Sequence, residues 1–214
     1  GTKPSYVSYG GIAIKKIKNS ISRVDLQNFI FKNKIINLKI KILFIGRLEE
    51  EAGIMTYLKA IRILRDKGFK IKIVILGDGT QRLQAEQFCI SNKLEAKFKG
   101  FVNNVSEHLE DTHLVFTSRF LSTLEALSMK KFTFVVYNNA VKKECFALSP
   151  FASFISLSKD EKDLSSKFIY YSKNKISMYA KIESGYKWIS KQTWIKLVNL
   201  YLKLWKQNEE NANR

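Results

Sequence analysis

The chain has 214 residues, 45% hydrophobic and 26% charged, with two prolines and ten glycines; this excludes disorder and low complexity and predicts one main globular domain with a full core. Lysine and arginine number 37 against 19 acidic residues, leaving a formal charge of +18, a field that attracts polyanions, phosphates or anionic lipid without choosing among them. No apolar run approaches the roughly 18 residues of a membrane span, no signal peptide heads the sequence, and the abrupt opening at Gly1-Thr2 reads as a fragment or an expressed domain.

Residues 1–39 carry little pattern. Gly10-Gly11 marks a turn and Lys15 to Lys39 is basic and irregular, so this stretch is read as a linker and edge segment leading into the domain. Ile40 to Ile45 is then a near-continuous apolar run of strand length, as expected for a strand buried on both faces. It runs straight into Gly46-Arg47, with a helix starting a few residues later, so a fixed cation and free helix amides face one crevice. That arrangement suits a diphosphate. Met55, Leu58, Ile61 and Leu64 recur every third residue with Lys59, Arg62 and Arg65 between them, an amphipathic helix that Gly68 stops. Ile71 to Leu76 reads as the second strand, Gly77-Asp78-Gly79 as its exit turn and Gln81 to Ser91 as the next helix. A short third strand follows over Ala96 to Lys99, then Gly100 and a weak helix near Val105 to Glu110. Leu114 to Thr117, a helix over Leu121 to Met129, and Phe132 to Val136 complete the alternation.

Five strand–helix alternations predict an α/β fold: a Rossmann-like three-layer domain with a mostly parallel sheet flanked by helices, its core over 40–157. Residues 158–214 read as a C-terminal helical extension. Ser158 and Glu161 have capping-box spacing and open a helix toward Tyr171. Trp194, Leu197, Val198, Tyr201, Leu204 and Trp205 then form one apolar stripe, which either packs on its own domain or docks on a second domain outside this sequence.

Several chemistries can be set aside. Gly46 to Gly53 lacks the Lys-Ser/Thr of a P-loop, and Gly77-Asp78-Gly79 lacks the third glycine of a dinucleotide fingerprint. There is no Ser-His-Asp order and no H-E-x-x-H; of His108 and His113 the second abuts a strand, a structural position. Cys89 and Cys145 stand far apart with no metal or disulfide spacing, so no metal site is expected and a reducing cytoplasm is the expected compartment. The lysines are scattered, with no Arg-Gly or aromatic-interleaved motif of an RNA reader. The basic surface is read as solubilising, as a face toward membrane or an acidic partner, or, with least support, as a nucleic-acid footprint.

In order, F-I-G-R-L-E-E-E-A-G, V-I-L-G-D-G-T, K-F-K-G-F-V and V-F-T-S-R-F-L-S-T-L-E-A-L resemble the carboxyl-terminal domain of group 1 retaining glycosyltransferases of the two-Rossmann (GT-B) fold. The closing K-Q-T-W-I-K-L-V-N-L-Y-L-K-L-W is similar to that family's last helix, which crosses back toward the amino-terminal domain. The resemblance implies a transferase that takes a sugar from a nucleotide-diphosphate sugar, with retention and with no required cofactor or metal. It implies an acceptor sugar or lipid-linked acceptor, and an N-terminal acceptor domain in cis or in trans. With the basic surface, it fits a cytoplasmic protein, for which a peripheral site at the inner face of the membrane is a further expectation because lipid-linked acceptors would lie there.

Carried over by position, Gly46-Arg47 would bind the donor diphosphate, Arg47 offsetting the charge that develops on the leaving group. Glu125 would accept from the ribose hydroxyls. Ser122, Thr123 and Leu124, preceding that helix, would offer backbone N–H groups, Phe101 and Val102 would meet the base, and Gly77 and Gly79 would keep the crevice floor open. Plainer readings stand beside these: Arg47 as a surface cation capping a carbonyl, Glu125 as a helix-terminus carboxylate, Gly77 to Gly79 as only a turn, Phe101 as core. The family usually has lysine where this chain has Ala52, and its E-x₇-E pattern is incomplete, with Thr117 at the spacing of the first glutamate. A non-catalytic nucleotide-sugar or anion-binding module is therefore the alternative function.

Overall fold

The computed structural model describes residues 39–212, so the linker expected over residues 1–39 lies, except for Lys39, outside the described residues. Six strands, β1 (Ile40–Ile45), β2 (Ile71–Leu76), β3 (Glu95–Gly100), β4 (Leu114–Thr117), β5 (Phe132–Val136) and β6 (Ser156–Ser158), form one sheet in the order β3-β2-β1-β4-β5-β6. Every pairing is parallel. The helices are α1 (Ile54–Asp66), α2 (Arg82–Ser91), α3 (Val105–Glu110), α4 (Phe120–Ser128), α5 (Ala140–Ala147), α6 (Glu161–Lys173), α7 (Lys175–Ile189) and α8 (Trp194–Ala212). A mostly parallel sheet with helices on both faces is the architecture the alternation predicts. No described helix is long and apolar enough to cross a membrane.

β1 shows why its apolar run is continuous. Ile40, Ile42 and Phe44 pack with α1 residues Ile54, Tyr57, Leu58 and Ile61, while Leu43 and Ile45 pack on the opposite face with Leu109 of α3 and Ala126 of α4. A third cluster, with Leu124, Val135, Phe146, Phe151 and Ile189, closes the β5 side. The face of β2 and β3 opposite α2 is more open. There Lys41, Lys72, Lys97 and Lys99 line a groove of about 410 Å³ with Glu107, His108 and Asp111. His113 is structural: its Nδ1 accepts the Lys41 amide at 2.9 Å.

One expectation is corrected. The helix after β6 is capped by Asp160, whose carboxylate accepts the Asp163 amide at 2.8 Å; Ser158 is instead the last residue of β6, paired with Val136. β6, α5 and α7 escape the sequence pattern because they are short or mixed in polarity. Along the stripe of α8, Trp194 is 54% and Trp205 63% exposed, with Val198 and Tyr201 exposed between them.

Lys131, just before β5, is 5% exposed and donates to the carbonyls of Thr112 at 2.7 Å and Glu110 at 3.3 Å. Burial pushes its pKa down to about 8 from 10.5. Between those values the unfolded chain holds a proton that the folded chain has released, so stability rises with pH across this window, by roughly 3 kcal/mol for this group. Lys131→Met should lack that rise. Urea titrations at several pH values check it: a wild-type minus variant difference that stays flat from pH 8 to 10.5 refutes the burial of an ionisable ammonium.

Candidate functional site

The strand order reverses at β1, which has β2 and β3 on one side and β4, β5 and β6 on the other. In open α/β sheets this reversal opens a crevice outside the carboxyl ends of the strands. Here its walls are the loops leaving β1, β2 and β4, with those of β3 and β5 farther out.

These loops are held by their backbones. The Gly46 amide donates to Leu76 at 3.1 Å, Gly77 to Gly100 at 2.8 Å, Leu48 to Asp78 at 2.9 Å, and Gln81 to Leu48 at 2.8 Å. A Cβ at Gly77, where φ is 132°, would stand 1.9 Å from the Gly46 carbonyl oxygen, and one at Gly79 would stand 2.7 Å from that of Leu48. Close approach of loop to loop thus explains both glycines without a ligand. On the other side, a Cβ at Gly46 would stand 2.2 Å from Ser118 Oγ, a buried hydroxyl with no hydrogen-bond partner among the described residues.

Arg47 follows β1 and is exposed. Its guanidinium makes no hydrogen bond or ion pair among the described residues, so it caps no described carbonyl. Glu49 beside it is held below the usual carboxylate range, first by the Thr80 hydroxyl at 2.5 Å and the Thr80 amide at 3.2 Å, with a smaller pull from Arg47. Asp78 is likewise lowered, first by the Gly79 amide and then by Arg82, whose Nη1 lies 2.7 Å from it. Its carboxylate is thus committed to its own turn and the start of α2.

Glu125 is half-buried on α4. The helix begins at Phe120, which puts Glu125 in the second turn, beyond the reach over which a helix terminus stabilises a carboxylate. The same boundary corrects the placing of Ser122, Thr123 and Leu124, which lie inside the helix and are buried. The Thr123 amide donates to the Arg119 carbonyl at 3.1 Å, and its hydroxyl bonds the same carbonyl at 2.9 Å and Thr117 Oγ1 at 2.8 Å. The α4 amides without a helical acceptor are those of Phe120, Leu121 and Ser122. The shortened loop is the reason, since only Ser118 and Arg119 separate β4 from the helix. Phe101 is 79% exposed, so it is not core, whereas Val102 is half-buried against the cluster of Leu43 and Leu76.

Two residues in this region have no sequence signal of their own. Tyr57 is fully buried; its hydroxyl donates to the Thr117 carbonyl at 2.5 Å and accepts the Val136 amide at 2.7 Å, tying together the ends of β4 and β5. Lys142, on α5, stretches back across the crevice to the Glu51 carbonyl at 2.9 Å. Asn139 caps that helix by accepting the Lys142 amide at 2.8 Å, and an asparagine before a helical run was the available clue. Among the described residues no group of three or more His, Cys, Asp or Glu is placed to hold a metal ion.

The profile described as "Glycosyl transferases group 1" matches residues 25–187. The chain belongs to that family. A search of curated proteins by sequence finds no significant match. Among solved structures, the chain is similar to the catalytic domain of cholesterol-alpha-glucosyltransferase from Helicobacter pylori, at 24% identity and a TM-score of 0.59 over 73% of this chain and 100% of that one. It is similar to a glycosyltransferase from Rickettsia africae, at 12% identity and a TM-score of 0.69 over 92% of this chain and 55% of that one. S. aureus TarM, solved with UDP, matches at 18% identity and a TM-score of 0.63 over 78% of this chain and 35% of that one. At these identities the likeness is one of fold. The group 1 transferase chain thus spans one whole domain structure and about a third to a half of the two longer neighbours.

Proposed function

We propose that the protein is the donor-binding half of a glycosyltransferase that moves a sugar from a nucleotide-diphosphate sugar to an acceptor hydroxyl with retention. One observation carries this reading: Gly46-Arg47 and the helix bearing Glu125 leave the two strands that flank the reversal of strand order, β1 and β4. Arg47 holds the diphosphate and offsets charge on the departing phosphate, Glu125 accepts from the ribose hydroxyls, and the exposed Phe101 offers a ring to the base. The presence of UDP in the TarM neighbour supports a nucleotide in this cleft. The open stripe of α8 supports an N-terminal acceptor domain packed over Trp194 and Trp205. The non-catalytic alternative rests on Ala52 and on the shortened loop after β4.

Calorimetric titration with UDP, GDP, ADP and their sugar conjugates tests the reading. Arg47→Ala should weaken nucleoside diphosphates about ten- to a hundredfold, and Glu125→Gln should remove the advantage a nucleotide has over inorganic pyrophosphate. A wild-type protein that binds no nucleotide more tightly than pyrophosphate has no donor site. Sugar transfer is to be sought with the acceptor domain present, since an open half-cleft does not exclude water; nucleotide binding without transfer in that longer protein selects the non-catalytic alternative.

A further inference from the structure

We infer that Lys142, together with Arg119, forms the second phosphate-binding seat of the crevice and takes the place of the lysine that position 52 lacks. The inference rests on the donor-site reading. Ala52 is 3% exposed in a single 3-10 turn, Glu50–Ala52, that ends on the left-handed Gly53, so position 52 itself brings no charge to the crevice. The ammonium of Lys142 arrives instead from α5, bonded to the carbonyl of the Glu51–Ala52 peptide at 2.9 Å. Asn138, in the same β5–α5 loop, donates to the Glu50 carbonyl at 3.3 Å and holds that loop against the turn.

The surroundings of this ammonium suit an anion better than a structural clamp. A lysine on a short surface helix ordinarily keeps its charged end in water, yet Lys142 is half-buried. Among the described residues neither Lys142 nor Arg119 has a carboxylate within ion-pair distance. Burial first, and then the charge of Arg119, lower the Lys142 pKa to about 8 from 10.5. The Glu51 carboxylate offsets only a smaller part of this at Lys142, and a dianion bound by the two cations relieves their repulsion. An ammonium has three donors, and the Glu51 carbonyl takes one of them. Arg119 is the N-cap of α4, so the open amides of Phe120, Leu121 and Ser122 follow directly from it. The neighbouring Ser118 hydroxyl, 5% exposed, has no described partner. The ammonium of Lys142, the N-cap cation Arg119 and the free amides at the start of α4 thus belong to the segments that directly follow β4 and β5, where one phosphate of a diphosphate can be bound.

The test uses the 214-residue chain, with inorganic pyrophosphate and UDP, GDP and ADP as probes. Lys142→Met should weaken pyrophosphate and the best nucleotide by about tenfold or more, Lys142→Arg should change them little, and adding Ala52→Lys to Lys142→Met should restore affinity. Wild-type affinity should also fall faster than that of Lys142→Met as pH rises from 7 to 9, because the bound anion needs the ammonium charged. If a nucleotide binds and Lys142→Met stays within twofold, or if Ala52→Lys restores nothing, the inference is overturned while the donor reading stands. If no nucleotide binds more tightly than pyrophosphate, yet Lys142→Met weakens pyrophosphate, the donor reading fails and the phosphate seat remains. A chain that binds neither probe overturns both.

Discussion

Gly77→Ala is expected to cost about 4 kcal/mol or more, near the upper end for a single methyl group. The added Cβ would stand 1.9 Å from the Gly46 carbonyl oxygen and 2.9 Å from its carbon, and φ is 132°. The obstacle is backbone on both sides, so no side chain can rotate away; the loops after β1 and β2 must separate and break the bonds Gly46–Leu76 and Gly77–Gly100. Gly68 supplies the control. Its φ is 90° and a Cβ there meets nothing within 4 Å, so Gly68→Ala carries only the conformational strain, about 1–2 kcal/mol. Urea denaturation of both variants separates the two contributions. A Gly77→Ala protein no less stable than Gly68→Ala would mean that these loops do not touch. Because Arg47 adjoins the displaced carbonyl, the same variant should lose diphosphate affinity even where it remains folded.

The second large effect belongs to Tyr57→Phe. The ring is retained, stacked on Phe116 at 4.8 Å and edge-on to Phe44 at 5.4 Å, so what is lost is the hydroxyl. Val136, 1% exposed, then has an amide with no acceptor, and the Thr117 carbonyl loses a donor. An orphaned buried amide should lower stability by about 2 kcal/mol, or about 4–8 °C in melting temperature for a domain of this size. Burial raises the Tyr57 pKa above its usual 10.0. Above pH 10 the unfolded chain therefore loses a proton that the folded chain keeps, and wild-type stability falls there. Tyr57→Phe should lack that alkaline fall, so its deficit should shrink above pH 10; a deficit that stays constant would place the hydroxyl in water. Thr117 and Val136 also end the strands whose following segments carry Arg119 and Lys142, so the variant should loosen the proposed phosphate seat.

The two halves of the crevice differ in how much of them the sequence shows. Gly46-Arg47 is readable because everything that places it is local: an apolar run of β1, a glycine at the strand end, and a helix a few residues on. Glu125 is readable for the same reason, within one strand–helix step. The start of α4 is not, because whether Ser122, Thr123 and Leu124 precede the helix or lie in it depends on the Thr117–Thr123 and Arg119 bonds that pull the chain into a helix early. β6 and α7 are missed because Ser156-Leu157-Ser158 is short and polar, and the apolar residues of α7 divide between two clusters instead of following one stripe.

By itself, the sequence determined the parallel α/β class, four of the six described strands to the residue, membership in the transferase family, and the loop that carries Arg47. Each of these is written in hydrophobic period, in strand-end glycines, or in motifs read along one stretch of chain. Only the tertiary structure decided that Tyr57 joins β4 to β5, that Gly77 lies against Gly46, and that Lys142 meets the peptide before Ala52 from 91 residues away. Those contacts follow from strand order, since β1 must stand between β2 and β4 before the loops beyond them can touch, and strand order is set by the long-range burial of all the sheet's faces together.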